Sequence, residues 1–165
     1  MQLSPEIQIR DAGPQDAADI AKVLFESFVE YEGLYTREGF AATTPNADQI
    51  MARMREGPTW VAFQGATLLG SVGAVVKEQA VYMRGMGVVP KARGLRVGAR
   101  LLQSVEDWAF GQGCCRVFLS TTPFLKAAIC LYEGAGFRRT EDRPRDLFGT
   151  PLFTMEKLLK KTAAK

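Results

Sequence analysis

The sequence has no histidine among its 165 residues. This absence excludes Ser-His-Asp and Cys-His catalysis, and it excludes every metal site that depends on imidazole ligands. Histidine is also the commonest proton carrier near neutral pH. Any acid or base in this protein must therefore be a carboxylate, a tyrosine, a cysteine, a lysine or the substrate itself.

Long apolar runs and cysteine frameworks are also missing. No stretch approaches the roughly 18 consecutive apolar residues that a membrane-spanning helix needs. Glu6 and Asp11 interrupt the N-terminal segment, so we do not expect a secretory signal. The spacing of Cys114, Cys115 and Cys130 fits neither a metal-ligand pattern nor a disulfide framework. We expect the three cysteines to be small buried hydrophobic residues of a protein in a reducing compartment. The sequence therefore predicts a cytoplasmic protein with no metal site and no membrane contact.

The charge balance gives no support for a nucleic-acid partner. Lys and Arg number 21 and Asp and Glu number 18, which leaves a net charge of +3. This excess is too small to bind polyanions through bulk electrostatics, and no aromatic residue accompanies the basic run from Arg93 to Arg100. The length fits one domain, expected over residues 1–159, followed by a disordered basic tail over residues 160–165.

Hydrophobic periodicity predicts a mixed order of strands and helices. The predicted strands cover residues 6–10, 59–63, 68–76, 80–89, 115–120, 137–141 and 153–158. Four helices are predicted: one that begins at Pro14, one that is capped by Asn46, one over residues 97–110 and one over residues 124–133. Residues 31–45 show no hydrophobic period and are predicted to be a long loop. This order predicts an α+β fold, a mixed α/β sandwich with helices on both faces of the sheet.

The segment over residues 86–102 has the clearest chemical pattern. A strand ends at Pro90, a turn contains Gly94, and an amphipathic helix begins near Arg96. Four cations lie within ten residues: Lys91, Arg93, Arg96 and Arg100. The free amides and the dipole of a helix N-terminus attract anions, and Gly94 and Gly98 allow close approach to the backbone. The pattern indicates a pyrophosphate site.

Two known phosphate loops do not fit this segment. A Walker-type loop requires G-x-x-x-x-G-K-[ST], but Gly94 and Gly98 are separated by only three residues. A Rossmann fingerprint requires G-x-G-x-x-G, which Arg96 interrupts. A helix capped after a basic turn remains as an alternative, although it leaves the run of cations unexplained.

Two separated motifs resemble those of the GNAT superfamily of acyl-CoA N-acyltransferases. Residues 88–94, VVPKARG, are similar to the family's V-x-P-x-x-R-G motif. Residues 93–98 are similar to its Q/R-x-x-G-x-G/A loop, except that Arg96 replaces the usual glycine. Residues 127–137, AAICLYEGAGF, resemble its A-x-x-L-Y-x-x-x-G-F ending. The resemblance implies a central, mostly antiparallel sheet of 6–7 strands that splays open between the fourth and fifth strands.

The resemblance also implies a cofactor site. The pantetheine arm of acetyl-CoA would contact Met86, Gly87 and Val88, and Gly85 and Gly87 fit a bulge or a close backbone approach beside it. The phosphates would contact the turn and first helical turn, namely Arg93, Gly94, Leu95, Arg96, Val97, Gly98 and Ala99.

Three residues are candidates for catalytic roles. The resemblance places Tyr132 near the thioester sulfur, where a phenol can protonate the departing thiolate, although a tyrosine packed on the core is the alternative. The amide of Val88 would polarise the acyl carbonyl. Glu30, with Glu26 and Glu32 nearby, would interact with a cationic amine acceptor. The alternative is that these glutamates form a solvated acidic helix face. Some relatives have a glutamate base on the fifth strand, which this chain replaces with Ser120 and Thr121.

The resemblance implies an N-acetyltransferase. It would move an acetyl group from acetyl-CoA to a primary amine of a small molecule or peptide, by direct attack on the thioester and without a metal. A non-catalytic acyl-CoA sensor is the alternative, because Leu125 replaces an asparagine that contacts the cofactor in several relatives and because no base is evident. The family often dimerises, so a homodimer is possible. The acceptor has no recognisable pattern in the sequence.

Overall fold

The computed structural model describes residues 5–143 and 145–160, in which strands and helices largely follow the predicted order. The strands are β1 Ile7–Asp11, β2 Thr59–Gln64, β3 Thr67–Lys77, β4 Ala80–Val88, β5 Arg116–Thr121, β6 Arg138–Arg139, β7 Arg145–Leu147 and β8 Thr150–Leu158. The helices are α1 Ala17–Phe28, α2 Arg37–Thr43, α3 Ala47–Met54, α4 Val97–Gly111 and α5 Lys126–Gly134. No helix within these ranges is long and apolar enough to cross a membrane.

The strands form a mixed and mostly antiparallel sheet, as expected. Its order is β1-β2-β3-β4-β5-β8-β6, and β7 pairs with β8 beside this path. Among the described pairs, only β4 and β5 run parallel. Eight strands are present where six or seven were expected, because the short β7 was not predicted.

The expected opening of the sheet lies between β4 and β5. Their pairing is limited to Val81 with Val117 and Tyr82 with Phe118, near the start of both strands. Beyond Tyr82 the two strands diverge, so the backbone of β4 has no strand partner on this side. Divergence of two central strands leaves a cleft that a ligand can enter.

A β-bulge in β4 adjoins this opening. In the register with β3, Ser71 faces Gly87 and Gly73 faces Arg84, so one extra residue lies on β4. Gly85 lies within the bulge at φ +65°, a left-handed conformation that favours glycine. The bulge expected at Gly85 is therefore confirmed.

Helices cover both faces of the sheet, and each face has its own buried cluster. On one face α4 buries Val97, Leu101, Leu102 and Val105 against the strands, as its helical spacing predicts. On the other face α1 and α3 pack around Val61. The N-terminus of α4 and one side of α1 thereby border the opening between β4 and β5.

The predicted loop over residues 31–45 is wrong. A 3-10 turn over Val29–Leu34 is followed by α2, whose Thr36 cap accepts a hydrogen bond from the Gly39 amide at 3.0 Å. The Thr36 amide also donates to Thr150 Oγ1 at 2.9 Å. Since this partner is 114 residues away in the chain, local periodicity does not reveal the helix. The Asn46 cap of α3 is confirmed, with a capping box to Gln49.

The expectation about the cysteines is partly wrong, and the expectation about the C-terminal tail falls outside the described residues. Cys114 is buried, but Cys115 and Cys130 are exposed, so only one of the three cysteines is the small buried hydrophobe that was expected. Cys115 precedes β5 and Cys130 lies on the outer side of α5, where neither packs into the core. The basic tail expected over residues 160–165 lies outside the described residues beyond Lys160.

Candidate functional site

The opening between β4 and β5 forms a cavity of about 430 Å³, which we call the groove. It is bordered by α1, the end of β4, the turn before α4, and α5. Among the residues predicted to contact the cofactor, those lining the groove are Met86, Gly87, Val88, Arg93, Gly94, Arg96, Val97, Gly98 and Ala99. Leu95 is the exception, because its half-exposed side chain lies on a separate surface with Lys91.

The N-terminus of α4 presents free amides to this groove. The first-turn amides of Val97, Gly98 and Ala99 have no intrahelical acceptor. No side chain caps this end of the helix, and no acidic residue lies in its first turn. The positive end of a 15-residue helix is therefore available for an external anion.

Only two of the four predicted cations line the groove. Arg93 and Arg96 are both among its lining residues. Arg100 instead donates to the carbonyl oxygen of Ile7 at 2.6 Å, and Lys91 lies on the separate surface with Leu95. The groove thus has two arginines beside the free amides, a combination that suits a pyrophosphate.

The turn before α4 has a backbone conformation that favours glycine at two positions. Gly94 has φ +84°, and a Cβ there would meet no atom within 4 Å. Arg96, the residue that departs from the family's motif, has φ +64° although it is not glycine. Such a conformation costs about 1–2 kcal/mol for a residue with a Cβ. The chain therefore keeps a cation at the groove at some cost in backbone energy.

Gly87 and Gly98 have packing reasons for being glycine. A Cβ at Gly87 would lie 2.8 Å from Leu24 Cδ2 on α1, and a Cβ at Gly98 would lie 2.8 Å from Leu131 Cδ2 on α5. These contacts bring α1 and α5 close to the groove. Gly98 was expected to allow phosphate approach, and the structure adds this helix contact.

The amide of Val88 points into the opening. The neighbouring Val89 amide donates to the Leu69 carbonyl oxygen on β3 at 2.9 Å. Because successive amides of a strand point in opposite directions, the Val88 amide faces away from β3 and toward the side where β5 has diverged. It is therefore a backbone donor without a strand partner at the edge of the opening.

A second cavity, of about 290 Å³, adjoins the groove. The residues that line both spaces are Phe28, Met86, Leu125, Ala128 and Tyr132. We call this shared boundary the junction. An acyl group held in the groove and an acceptor held in the second cavity would meet there.

Tyr132 lies at the junction with its side chain buried. It is 5% exposed, and its ring packs against Phe137 with the ring centroids 6.0 Å apart. Burial raises the pKa of the Tyr132 hydroxyl above its usual range, so the group stays protonated at neutral and mildly alkaline pH. The role of this hydroxyl as the proton donor to a departing thiolate stays a prediction from the resemblance.

Comparison with known proteins agrees with this geometry. The profile of the acetyltransferase (GNAT) family matches residues 21–137. The chain belongs to the GNAT acetyltransferase family. This membership makes it an acyl-CoA-dependent acetyltransferase and confirms the resemblance seen in its motifs.

Individual members of the family match much of the chain. The "Uncharacterized N-acetyltransferase YjgM" of Escherichia coli (strain K12) is 30% identical over 138 residues, which are 77% of this chain and 79% of that protein. "Probable N-acetyltransferase camello" of Xenopus laevis is 34% identical over 68% of this chain, and the match spans 55% of its own length. PaiA N-acetyltransferase from Thermoplasma acidophilum, crystallised with coenzyme A, shares the fold with a TM-score of 0.79 and 20% identity, over 93% of this chain and 99% of that one.

Glu30 of this acetyltransferase lies beside the groove. Its carboxylate forms an ion pair with Arg93, whose Nη2 also donates to the Ser27 carbonyl oxygen at 3.3 Å. Neither Glu30 nor the nearby Glu26 and Glu32 is among the described residues that line the second cavity. The described lining of the second cavity therefore contains no acidic wall, and the ion pair places Glu30 beside the groove. Its role with a cationic amine stays a prediction.

Replacing Glu30 with glutamine tests this placement. Glu30→Gln removes a negative charge next to the anion site, so we expect the KM for acetyl-CoA to fall two- to fivefold while kcat stays unchanged. The expected size of this change in KM follows from the ~0.2–1 kcal/mol by which a half-exposed ion pair stabilises a protein. Steady-state kinetics at saturating acceptor would measure both constants, with Glu26→Gln as the control. A kcat lowered 100-fold would instead assign Glu30 the role with a cationic amine that the sequence suggested.

Several residues of the second cavity in this GNAT protein were not recognised in the sequence. They are Ala42, Thr43, Arg53, Tyr82, Arg84, Leu147 and Leu152, whereas Tyr35 was expected near the acceptor amine. They come from α2, α3, β4, β7 and β8, and no motif connects them. Only the fold brings these side chains together, so sequence spacing contains no signal for them.

Proposed function

We propose that this protein transfers an acetyl group from acetyl-CoA to a primary amine by direct attack of the amine on the thioester. The observation that supports the proposal most is the junction, where the groove and the second cavity share Met86 and Tyr132. A donor in one space and an acceptor in the other need no covalent enzyme intermediate, because their reacting atoms meet directly. The lack of histidine agrees with this route, since Ser-His and Cys-His nucleophiles are excluded.

The residues of the groove fit coenzyme A. The free amides of Val97, Gly98 and Ala99, with Arg93 and Arg96, would hold the pyrophosphate. Met86 and Val88 at the open edge of β4 would contact the pantetheine arm. The bound thioester supplies an activated acetyl group and a thiol leaving group.

Two groups of this chain would then assist the transfer. The Val88 amide donates a hydrogen bond where negative charge develops on the acyl oxygen. The Tyr132 hydroxyl holds a proton for the departing sulfur. Because a thiol has a pKa of about 8.5 and leaves readily, we expect this assistance to lie at the low end of the usual ~10²–10⁴-fold.

The acceptor must be neutral when it attacks. At pH 7.4 deprotonation costs about 4 kcal/mol for an amine of pKa ~10.4, but only about 1 kcal/mol for an α-amine of pKa near 8. No carboxylate is among the described residues that line the second cavity. The site thus favours an amine of low pKa.

A thiol-release assay tests the proposal. The protein with acetyl-CoA would be offered aminoglycosides, polyamines, amino acids and peptide N-termini, and free thiol would be measured. We expect amine-dependent release with at least one class and a product mass higher by one acetyl group. Binding of acetyl-CoA with no release for any class would reject acetyl transfer and favour a sensor.

A further inference from the structure

The second cavity has an excess of positive charge. Two arginines line it, Arg53 from α3 and Arg84 from β4, and no Asp or Glu is among its described lining residues. Its other polar groups are neutral hydroxyls, including those of Tyr35, Ser120 and Thr122. A site that binds a purely cationic amine, such as a polyamine, needs the opposite sign of charge.

Arg84 is neutralised by a neighbour, and Arg53 is not. The Nη2 atom of Arg84 lies 2.8 Å from Glu56 Oε2, in an ion pair on the outer side of the cavity. Arg53 forms no ion pair with any residue in the described part of the chain. The net charge of this group of three side chains is therefore +1, and it resides on Arg53.

The guanidinium of Arg53 is partly buried and retains free donors. Its Nη2 donates to the Ala42 carbonyl oxygen at 3.3 Å, which uses one of five N–H groups. A Cβ at Gly85 would lie 3.5 Å from its Nη1, so the bulge of β4 passes beside the guanidinium without a side chain that would cover it. Burial and the nearby Arg84 lower the pKa of Arg53, and they outweigh the opposite effect of Tyr82 and of Glu56, whose carboxylate is paired with Arg84.

An unsatisfied hydroxyl lies beside the same cavity. Thr122 is 2% exposed, and its Oγ1 makes no hydrogen bond of good geometry within the described residues. Buried hydroxyls are usually hydrogen-bonded, so a buried hydroxyl without a well-aligned partner is an exception. Arg53 thus lacks the counter-ion that an anionic ligand in this cavity would provide, whereas Thr122 Oγ1 lies behind the cavity surface beside Tyr35.

We propose that the acceptor is a small amine that also bears a carboxylate or phosphonate group, as an α-amino acid does, and that Arg53 binds this anion. The inference rests on the proposed acetyl transfer. An anion at Arg53 leaves the amine free to reach the junction near Tyr132. The volume of about 290 Å³ suits a ligand of this size and is near the lower limit for small-molecule sites.

Matched acceptors test this inference. Thiol release would be measured for a series of α-amino acids, their α-carboxamides and their aminophosphonate analogues, with the wild type, Arg53→Ala and Arg53→Met. Arg53→Met keeps an apolar stem in the wall if Arg53→Ala loosens the packing. Arg55→Ala is the control, because Arg55 is an exposed arginine two residues away and is not among the lining residues. Thermal shifts with N-acetyl amino acids and with their methylamides would report binding without turnover.

We expect the kcat/KM of the anionic acceptors to exceed that of their carboxamides at least tenfold. Arg53→Ala and Arg53→Met should lower kcat/KM ten- to a hundredfold for the anionic acceptors alone and abolish the thermal shift with N-acetyl amino acids. Arg55→Ala should change neither. Equal kcat/KM values for acids and carboxamides would overturn the proposed anion site, as would a wild-type kcat/KM in Arg53→Met, and either result would leave the proposed acetyl transfer intact. No thiol release with any amine would overturn both.

Discussion

We expect Tyr132→Phe to lower kcat about 100-fold and to leave the Kd for acetyl-CoA unchanged. The variant loses only the hydroxyl that would protonate the departing thiolate, and the expected size is the low end of general-acid catalysis. The ring stays in place against Phe137, so the melting temperature should not fall. Pre-steady-state or steady-state thiol release at saturating acetyl-CoA would measure the change.

The pH profile gives an independent check of the same group. Because burial raises the pKa of Tyr132, its acidic form persists to higher pH than an exposed tyrosine would allow. The wild-type kcat should therefore show no decline from this ionisation between pH 7 and 10. Tyr31→Phe is the matched control, since Tyr31 lines the groove but not the junction, and its kcat should stay within twofold. A Tyr132→Phe enzyme with a kcat within threefold of wild type would make Tyr132 a packing residue only.

We expect removal of both groove arginines to weaken acetyl-CoA binding by about 100-fold or more. Arg93 and Arg96 line the groove beside the free amides of α4, and each would form a charge-assisted hydrogen bond with the pyrophosphate. Such a bond contributes about 1.5–3 kcal/mol, and the lower value applies here because Arg93 is 40% exposed and shared with Glu30. Calorimetric titration of Arg93→Ala/Arg96→Ala with acetyl-CoA measures the loss.

Two comparisons separate this effect from general electrostatics. Lys91→Ala removes a positive charge from the same turn, but from the surface outside the groove, and should change the Kd less than threefold. Acetyl-pantetheine lacks the pyrophosphate, so its affinity should be the same for the wild type and the double variant. If the double variant kept wild-type affinity for acetyl-CoA, the arginines would have no part in binding.

Much of the fold follows from local sequence patterns. The apolar spacing of α4 predicts a long buried helix because one face must contact the sheet over several turns, and the structure shows Leu101 and Val105 fully buried there. The paired glycines of β4 predict irregular backbone, and the bulge at Gly85 confirms it. These features depend on neighbours a few residues apart, which a sequence displays directly.

The missed features depend on contacts between distant parts of the chain. The helix α2 is stabilised where Thr36 meets Thr150 and Phe148, so its own residues contain little periodic signal. The ion pair between Glu30 and Arg93 joins two turns that are far apart in the chain, and no local pattern in the sequence indicates it. The charge of the second cavity depends on Arg53 and its position near the bulge of β4, which only the folded chain defines. Acceptor sites built from several separate elements are for this reason harder to predict than a phosphate loop contained in one segment.

Calorimetric titration with coenzyme A tests whether the turn into α4 binds the diphosphate of this cofactor. We expect heat of binding, a rise in stability of about 2.7 kcal/mol at a ligand concentration 100 times the Kd, and far weaker binding of pantetheine. No heat and no shift in melting temperature with coenzyme A, or equal affinity for pantetheine, would contradict it.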